Sequence, residues 1–262
     1  MSHSWKLTDL EFYALWFDAA RETLPWPFFY ATRTELASVF RVEQAEALDR
    51  AGQTLGPRAR DLVDALVHPD LRIVASGTDG REPRAPAGLV RIHAVRRADR
   101  GFVICQLPGE TFYHGTSFTV LECDAVALAD AVVRAIPEAV PGRLADITLS
   151  ARPEAEELDY SFGRSAVHDT FDGSVAERAA RFLDAPLKSR GTLDIEQGRS
   201  LFGPRGMTRH RLEWRDLEDD GRYLVDDQHP PLAVAADRAR LISMINVRVA
   251  AIVRAIKDER VS

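Results

Sequence analysis

Asp216, Glu218 and Asp220 alternate along the run DLEDD and end at Gly221. An EF-hand loop opens this way, with carboxylate ligands at every second position and a glycine where the backbone turns. The twelfth position would be Asp227, where such a loop places a bidentate glutamate. The flanks decide against calcium: RHRLEWR and RYLVDD alternate as strands, whereas an EF-hand needs helices. Asp-Gly between two such runs is a hairpin signal. His3, His68, His93, His114, His168, His210 and His229 are scattered, and none sits in the HExxH or HxH spacing that lets two imidazoles share an ion. His93 alternates with Ile92 and Ala94 as a strand residue, and His168-Asp169 would be a dyad only within an irregular stretch. Ser117, in GTSFT, lacks the GxSxG elbow that forces a strained, exposed hydroxyl. Gly198, Gly203 and Gly206 are separated by bulky Leu201 and Phe202 and lack the GK[ST] ending of a phosphate cradle. Glu154, Glu156, Glu157 and Asp159 read as the solvated face of a short helix, and Arg96, Arg97 and Arg100 as the charged rim of a turn. No catalytic residue, cofactor site or metal site is expected, and the chain does not read as an enzyme.

The bulk composition narrows the remaining classes. The 262 residues are 45% hydrophobic and carry a formal charge of −6, ordinary for a globular protein. A mildly acidic balance offers no basic footprint for nucleic acid. Nearly all the basic charge is arginine, with lysine only at Lys6, Lys188 and Lys257. Cys105 and Cys123 form neither a CxxC pair nor a zinc knuckle, and free thiols in a reducing cytosol are the expectation. Lys6, Asp9, Glu11 and Asp18 interrupt any signal-peptide core, and no apolar run approaches the ~18 residues of a membrane span. A cytoplasmic location without membrane insertion is therefore expected.

The elements follow from periodicity. Thr8 and Glu11 fit a capping box, Leu7 can staple onto Phe12, and Phe12, Leu15, Trp16 and Ala19 recur at helical spacing until Pro25 and Pro27. Helices are expected over 34–50 and 57–67. Strands then follow over 71–76, 89–95, 102–107 and 117–122, with a charged loop over 77–88, a turn over 96–101, and a helix over 125–136. The second half repeats this order: helix 174–186, strand 191–197, loop 199–207, paired strands 209–215 and 221–227, and a long helix over 235–257. Gly221 follows Gly101 by 120 residues, each taken to close a hairpin turn, and VVRAI at 132–136 recurs as IVRAI at 252–256. A small sheet with one apolar face needs more cover than one half supplies, so two halves share a core or join sheets edge to edge. The fold class is α+β, with two pseudo-twofold halves, each a small antiparallel sheet flanked by helices. The halves span 1–142 and 174–262, joined by a linker over 143–173 that could hold a helix at 154–162, in one compact domain. Of the tryptophans Trp5, Trp16, Trp26 and Trp214, Trp16 is assigned to the core, while Trp5 and Trp26 remain open between core and partner surface.

LTDLEFYALWFDAARETLPWPF at the N-terminus, LVHPDLRIVAS, ERAARFLDAPLKSRGTLDI, WRDLEDDGRYLVDD and ADRARLISMINVRVAAIVRAI together resemble the EspG family of ESX, or type VII, secretion-associated proteins. The resemblance implies two quasi-equivalent halves without catalytic residues. It also implies a cytosolic chaperone that grips the helical tip of a secreted PE/PPE or WXG-type partner, the protein itself being a monomer or homodimer. The family's partner surface involves the loop after the first strand and the C-terminal helices. By position these are Asp79, Arg81, Glu82 and Arg84 in the loop and Leu241, Ile245 and Val249 on the last helix, whose stripe could equally cover the second sheet. The alternative is a structural adaptor or self-associating component of the secretion apparatus without chaperone activity.

Overall fold

The period-two runs pair into a single ten-stranded antiparallel sheet in a computed structural model that describes residues 3–149 and 170–261. A strand absent from the sequence reading begins it: β1 (His3–Thr8) lies along the sheet edge, with Trp5 and Leu7 turned inward. Thr8 ends the strand and caps α1 (Asp9–Ala20) through the expected box, its hydroxyl accepting from the Glu11 N–H while Glu11 accepts from the Thr8 N–H. The helix stops at Ala20, before Pro25, because Arg21 takes a left-handed conformation and bonds back to Phe17. Then come α2 (Ala37–Leu55), α3 (Arg58–Val67), β2 (Leu71–Asp79), β3 (Val90–Arg97), β4 (Arg100–Pro108) and β5 (Gly115–Asp124). A single 3₁₀ turn leads from β5 into α4 (Leu128–Ala135). The second half holds β6 (Ile147–Thr148), α5 (Thr170–Asp184), β7 (Leu187–Gln197), β8 (Arg209–Leu217), β9 (Arg222–Val225), β10 (Leu232–Ala235) and α6 (Arg238–Val261). The helix expected over 154–162, its carboxylates and the His168-Asp169 pair lie outside the described residues.

The strand order β1-β5-β4-β3-β2-β7-β8-β9-β10-β6 reads the same from either end once each strand is matched to its counterpart in the other half. β2 and β7 pair at the centre, from Leu71 opposite Gln197 to Asp79 opposite Ser189, so the halves join edge to edge and each loses one exposed edge. β6, inside the stretch read as linker, supplies the outermost strand of the second half, as β1 does for the first.

Helices cover both faces. On one, α4 and α6 bury Val132, Ile136, Leu241, Ile245 and Ile252 against Ile73, Leu193, Ile195, Leu212, Trp214 and Leu224. On the other, α1, α2 and α3 cover Val95, Phe102, Ile104 and Phe118 of the first half, and α5 brings Phe182 onto Tyr223 of the second. Between these two clusters the middle strands carry polar pairs, Arg72–Glu196 and Arg211–Asp194.

One glycine departs from the turn expectation. The β3–β4 turn is made at Ala98, with φ at 54°, while Gly101 lies inside β4, where an added methyl would meet Leu128 at 3.0 Å. At the centre, Gly77 and Gly191 face each other across β2 and β7 beneath the buried Trp214 ring. A Cβ would meet that ring at 2.3 Å from Gly77 and 2.2 Å from Gly191, so the indole occupies the space two side chains would fill.

Candidate partner-binding face

One end of the sheet gathers the C-terminal ends of β2, β4, β8 and β10. The loop over 80–89 sits there beside the turn over 218–221, the segment over 137–144 and the first turn of α6. The carboxylates of DLEDD tie these pieces together. Asp216 receives Nε and Nη2 of Arg222 at 2.7 and 2.8 Å and the Ser189 hydroxyl at 2.6 Å, and both ends of the ion pair are buried. Arg222 also donates to the Pro137 carbonyl at 3.0 Å. Glu218 pairs with Arg81 of the loop. Asp220 accepts the backbone N–H and Nε of Arg143 at 2.9 and 3.0 Å and the Tyr223 hydroxyl. Burial pushes that hydroxyl up to about 12, and its bond to Asp220 adds to the shift. The turn expected from Asp-Gly is present, and the Glu218 and Asp220 side chains are committed to arginines and a tyrosine. Among the described residues no group of three His, Cys, Asp or Glu side chains is arranged to hold a metal.

The loop is ordered by Asp79, the last residue of β2. Asp79 accepts the N–H groups of Arg81 and Glu82, both at 2.8 Å, and these bonds, Glu82's foremost, hold its carboxyl below the usual range. Gly80 donates to the Lys188 carbonyl at 2.9 Å, tying the loop to the start of β7. Arg81, Glu82 and Arg84 are exposed, and a short 3₁₀ turn at Pro86–Gly88 returns the chain to β3. Asp79, Arg81, Glu82 and Arg84 therefore form one charged projection, stapled through Arg81 to the other half.

The α6 residues fall elsewhere. Leu241 and Ile245 lie in the main core and Val249 is half-buried against it. The sheet covers this stripe; Leu241 reaches the surface only as part of the wall of a cleft of about 380 Å³ between α4 and α6. Arg134, Glu138, Val140 and Arg238 also line this cleft. Val140 and Leu144 are exposed at this end, and nothing in the sequence singles them out. Their segment is placed by Arg143 and Asp220, 77 residues apart, and no local pattern reveals a pair so distant.

His93 and the two thiols are structural. His93 is buried, its Nδ1 donating to the Trp26 carbonyl at 2.9 Å, and burial pushes its pKa down to about 4. Cys105 and Cys123 are free, and burial pushes each thiol up to about 11, far from a reactive thiolate. The Ser117 hydroxyl is buried without a partner among the described residues, so no base among them reaches it. Trp16 packs on the first-half core and donates to the Thr23 carbonyl, Trp5 is half-buried in β1, and Trp26 is exposed.

Comparison with known proteins adds two findings. A family model described as the EspG family matches residues 8–246. Among solved structures, the chain is similar to the Mycobacterium tuberculosis type VII secretion system chaperone EspG5, solved in complex with a PE25–PPE41 dimer. The two share 15% identity with a TM-score of 0.55, over 94% of this chain and 96% of that one. At this identity the likeness carries the fold. No curated protein matches the sequence. Among the described residues no helix is long and apolar enough to cross a membrane.

Proposed function

The chain belongs to the EspG family, and from that premise we propose that it is a cytoplasmic chaperone of type VII secretion that binds the helical tip of a secreted PE/PPE-type partner, without catalysis or cofactor. The observation that carries this reading is the charged loop 80–89, ordered by Asp79 and stapled by Arg81 to Glu218 of the other half. A preorganised projection loses little entropy on docking, and Val140 and Leu144 beside it offer apolar contact to a helix. The similar EspG5 structure, which holds a PE–PPE dimer, supports the same partner class. Asp79, Arg81, Glu82 and Arg84 are the proposed contact residues. Leu241, Ile245 and Val249 act from beneath, by fixing α6 on the sheet.

Co-expression of the full chain with PE–PPE pairs encoded in the same genome, followed by size-exclusion chromatography with light scattering, tests this. A stable ternary complex is expected, weakened about tenfold or more by Arg81→Glu combined with Arg84→Glu. Failure of every pair and of WXG-type proteins to bind contradicts it. A homodimer without such binding would favour the structural-adaptor reading.

A further inference from the structure

The opposite end of the sheet carries a second feature, in the loop over 198–208 between β7 and β8. Leu201 and Phe202 are 72% and 68% exposed there, among the most exposed large apolar side chains described. Their backbone is nevertheless fixed. Glu259, near the end of α6, accepts the Leu201 N–H, the Ser200 hydroxyl and the Gln197 amide at 2.8, 2.8 and 2.9 Å. Gln197 is fully buried and also bonds Arg199 and Thr208, and Gly198 donates to the Asp70 carbonyl at 2.8 Å. Bonds that order a loop while leaving two large apolar side chains in water oppose the hydrophobic effect, unless something covers those side chains.

The surroundings specify what would cover them. Beside Leu201 lies a cleft of about 630 Å³ whose apolar wall is Val67, Pro69 and Ile256. Arg199 and Arg260 line it, Arg205 lies further along the same loop and Lys257 follows Ile256 on α6; all four are exposed, and none has a carboxylate partner among the described residues. A local surplus of unpaired cations on a chain of net charge −6 selects an acidic partner. A second copy docking through the same patch would set cations against cations. A bilayer is flat on this scale and would leave the cleft unfilled.

We propose that loop 198–208 and the last turns of α6 form a second docking site, for an acidic segment of another protein that bears bulky apolar side chains. The site is independent of the proposed chaperone face, from which the length of β2 separates it by about 25 Å. It makes the molecule an adaptor with two ends.

The test is fluorescence anisotropy with the full chain and two labelled synthetic amphipathic peptides, one of leucine and glutamate, the other of leucine and lysine. The acidic peptide is expected to bind, more weakly as salt rises, while the basic one does not. Leu201→Ser with Phe202→Ser, and separately Arg199→Glu with Lys257→Glu, should each weaken binding about tenfold or more. Both variants should keep the wild-type melting temperature, since the altered side chains are exposed, and both should keep PE–PPE binding. Equal binding of the two peptides, or indifference to both variants, overturns the proposal. So does binding to phosphatidylglycerol vesicles, or a wild-type dimer, that is lost in the Leu201/Phe202 variant without any peptide binding.

Discussion

His93 sits beneath the aromatic N-terminal segment, its ring between Phe28 and the sheet and its Nδ1 proton on the Trp26 carbonyl. Burial favours the neutral form and lowers its pKa from 6.5 to about 4, against the Trp26 hydrogen bond and Glu196, which oppose the shift, and with Arg72 adding to it. The folded state thus binds fewer protons than the unfolded chain between those values. Stability is full above about pH 6.5 and falls as pH drops toward 4, by roughly 3 kcal/mol at the lower limit. His93→Gln keeps a donor for Trp26 without titrating, so its urea midpoint should fall less steeply over that window than the wild type's. Asp216 and Arg222 make the contrasting pair, buried together. Asp216→Ala leaves the guanidinium buried and unpaired, and a loss of about 3–5 kcal/mol is expected in denaturant unfolding. The alternation of His93 with Ile92 and Ala94 exposed its strand in the sequence. Its neutral state was not legible, because Trp26, which holds its proton, lies 67 residues away.

At the scale of elements, the two central strands depend on the contact between Trp214 and the glycine pair beneath it. Gly191→Ala places a methyl 2.2 Å from the ring, so β8 must shift or Trp214 must leave its rotamer. A loss of about 1–3 kcal/mol or more is expected by thermal unfolding, with a red-shifted tryptophan emission as the ring meets water. Gly77 and Gly191 are unremarkable in the sequence, because only pairing in register puts them opposite each other. The reverse holds for α1, whose cap was readable from Thr8 and Glu11 because both partners lie within one turn. β1 escaped notice for a related reason: HSWKLT is short, and its pairing with β5 is over a hundred residues away. The loop over 80–89 was visible as a charged, proline-bearing break, but its order depends on Glu218, which no local signal connects to Arg81. Glu218→Ala should raise amide hydrogen exchange over residues 80–85 while leaving the unfolding free energy within about 1 kcal/mol of wild type, as expected for a pair whose arginine is exposed.

For the whole molecule, the twofold repeat was legible because it is written as a repeated order of elements, helix then strands then helix. How the halves join is not written in that order, since edge-to-edge pairing and a shared core fit the same pattern. β2 and β7 pair along nine residues, and the α4–α6 layer crosses that seam, so the molecule uses both solutions. The result is one continuous ten-stranded sheet whose two ends carry equivalent loops, 80–89 after β2 and 198–208 after β7. Such a scaffold suits holding another protein's helices, since its polar networks are spent on fixing loops. Hydrogen exchange of the full chain, alone and with a bound PE–PPE pair, tests this most directly. Protection is predicted over 79–89, 137–144 and 218–221. Protection confined to other surfaces, with these three segments exchanging as in the free protein, would contradict the account.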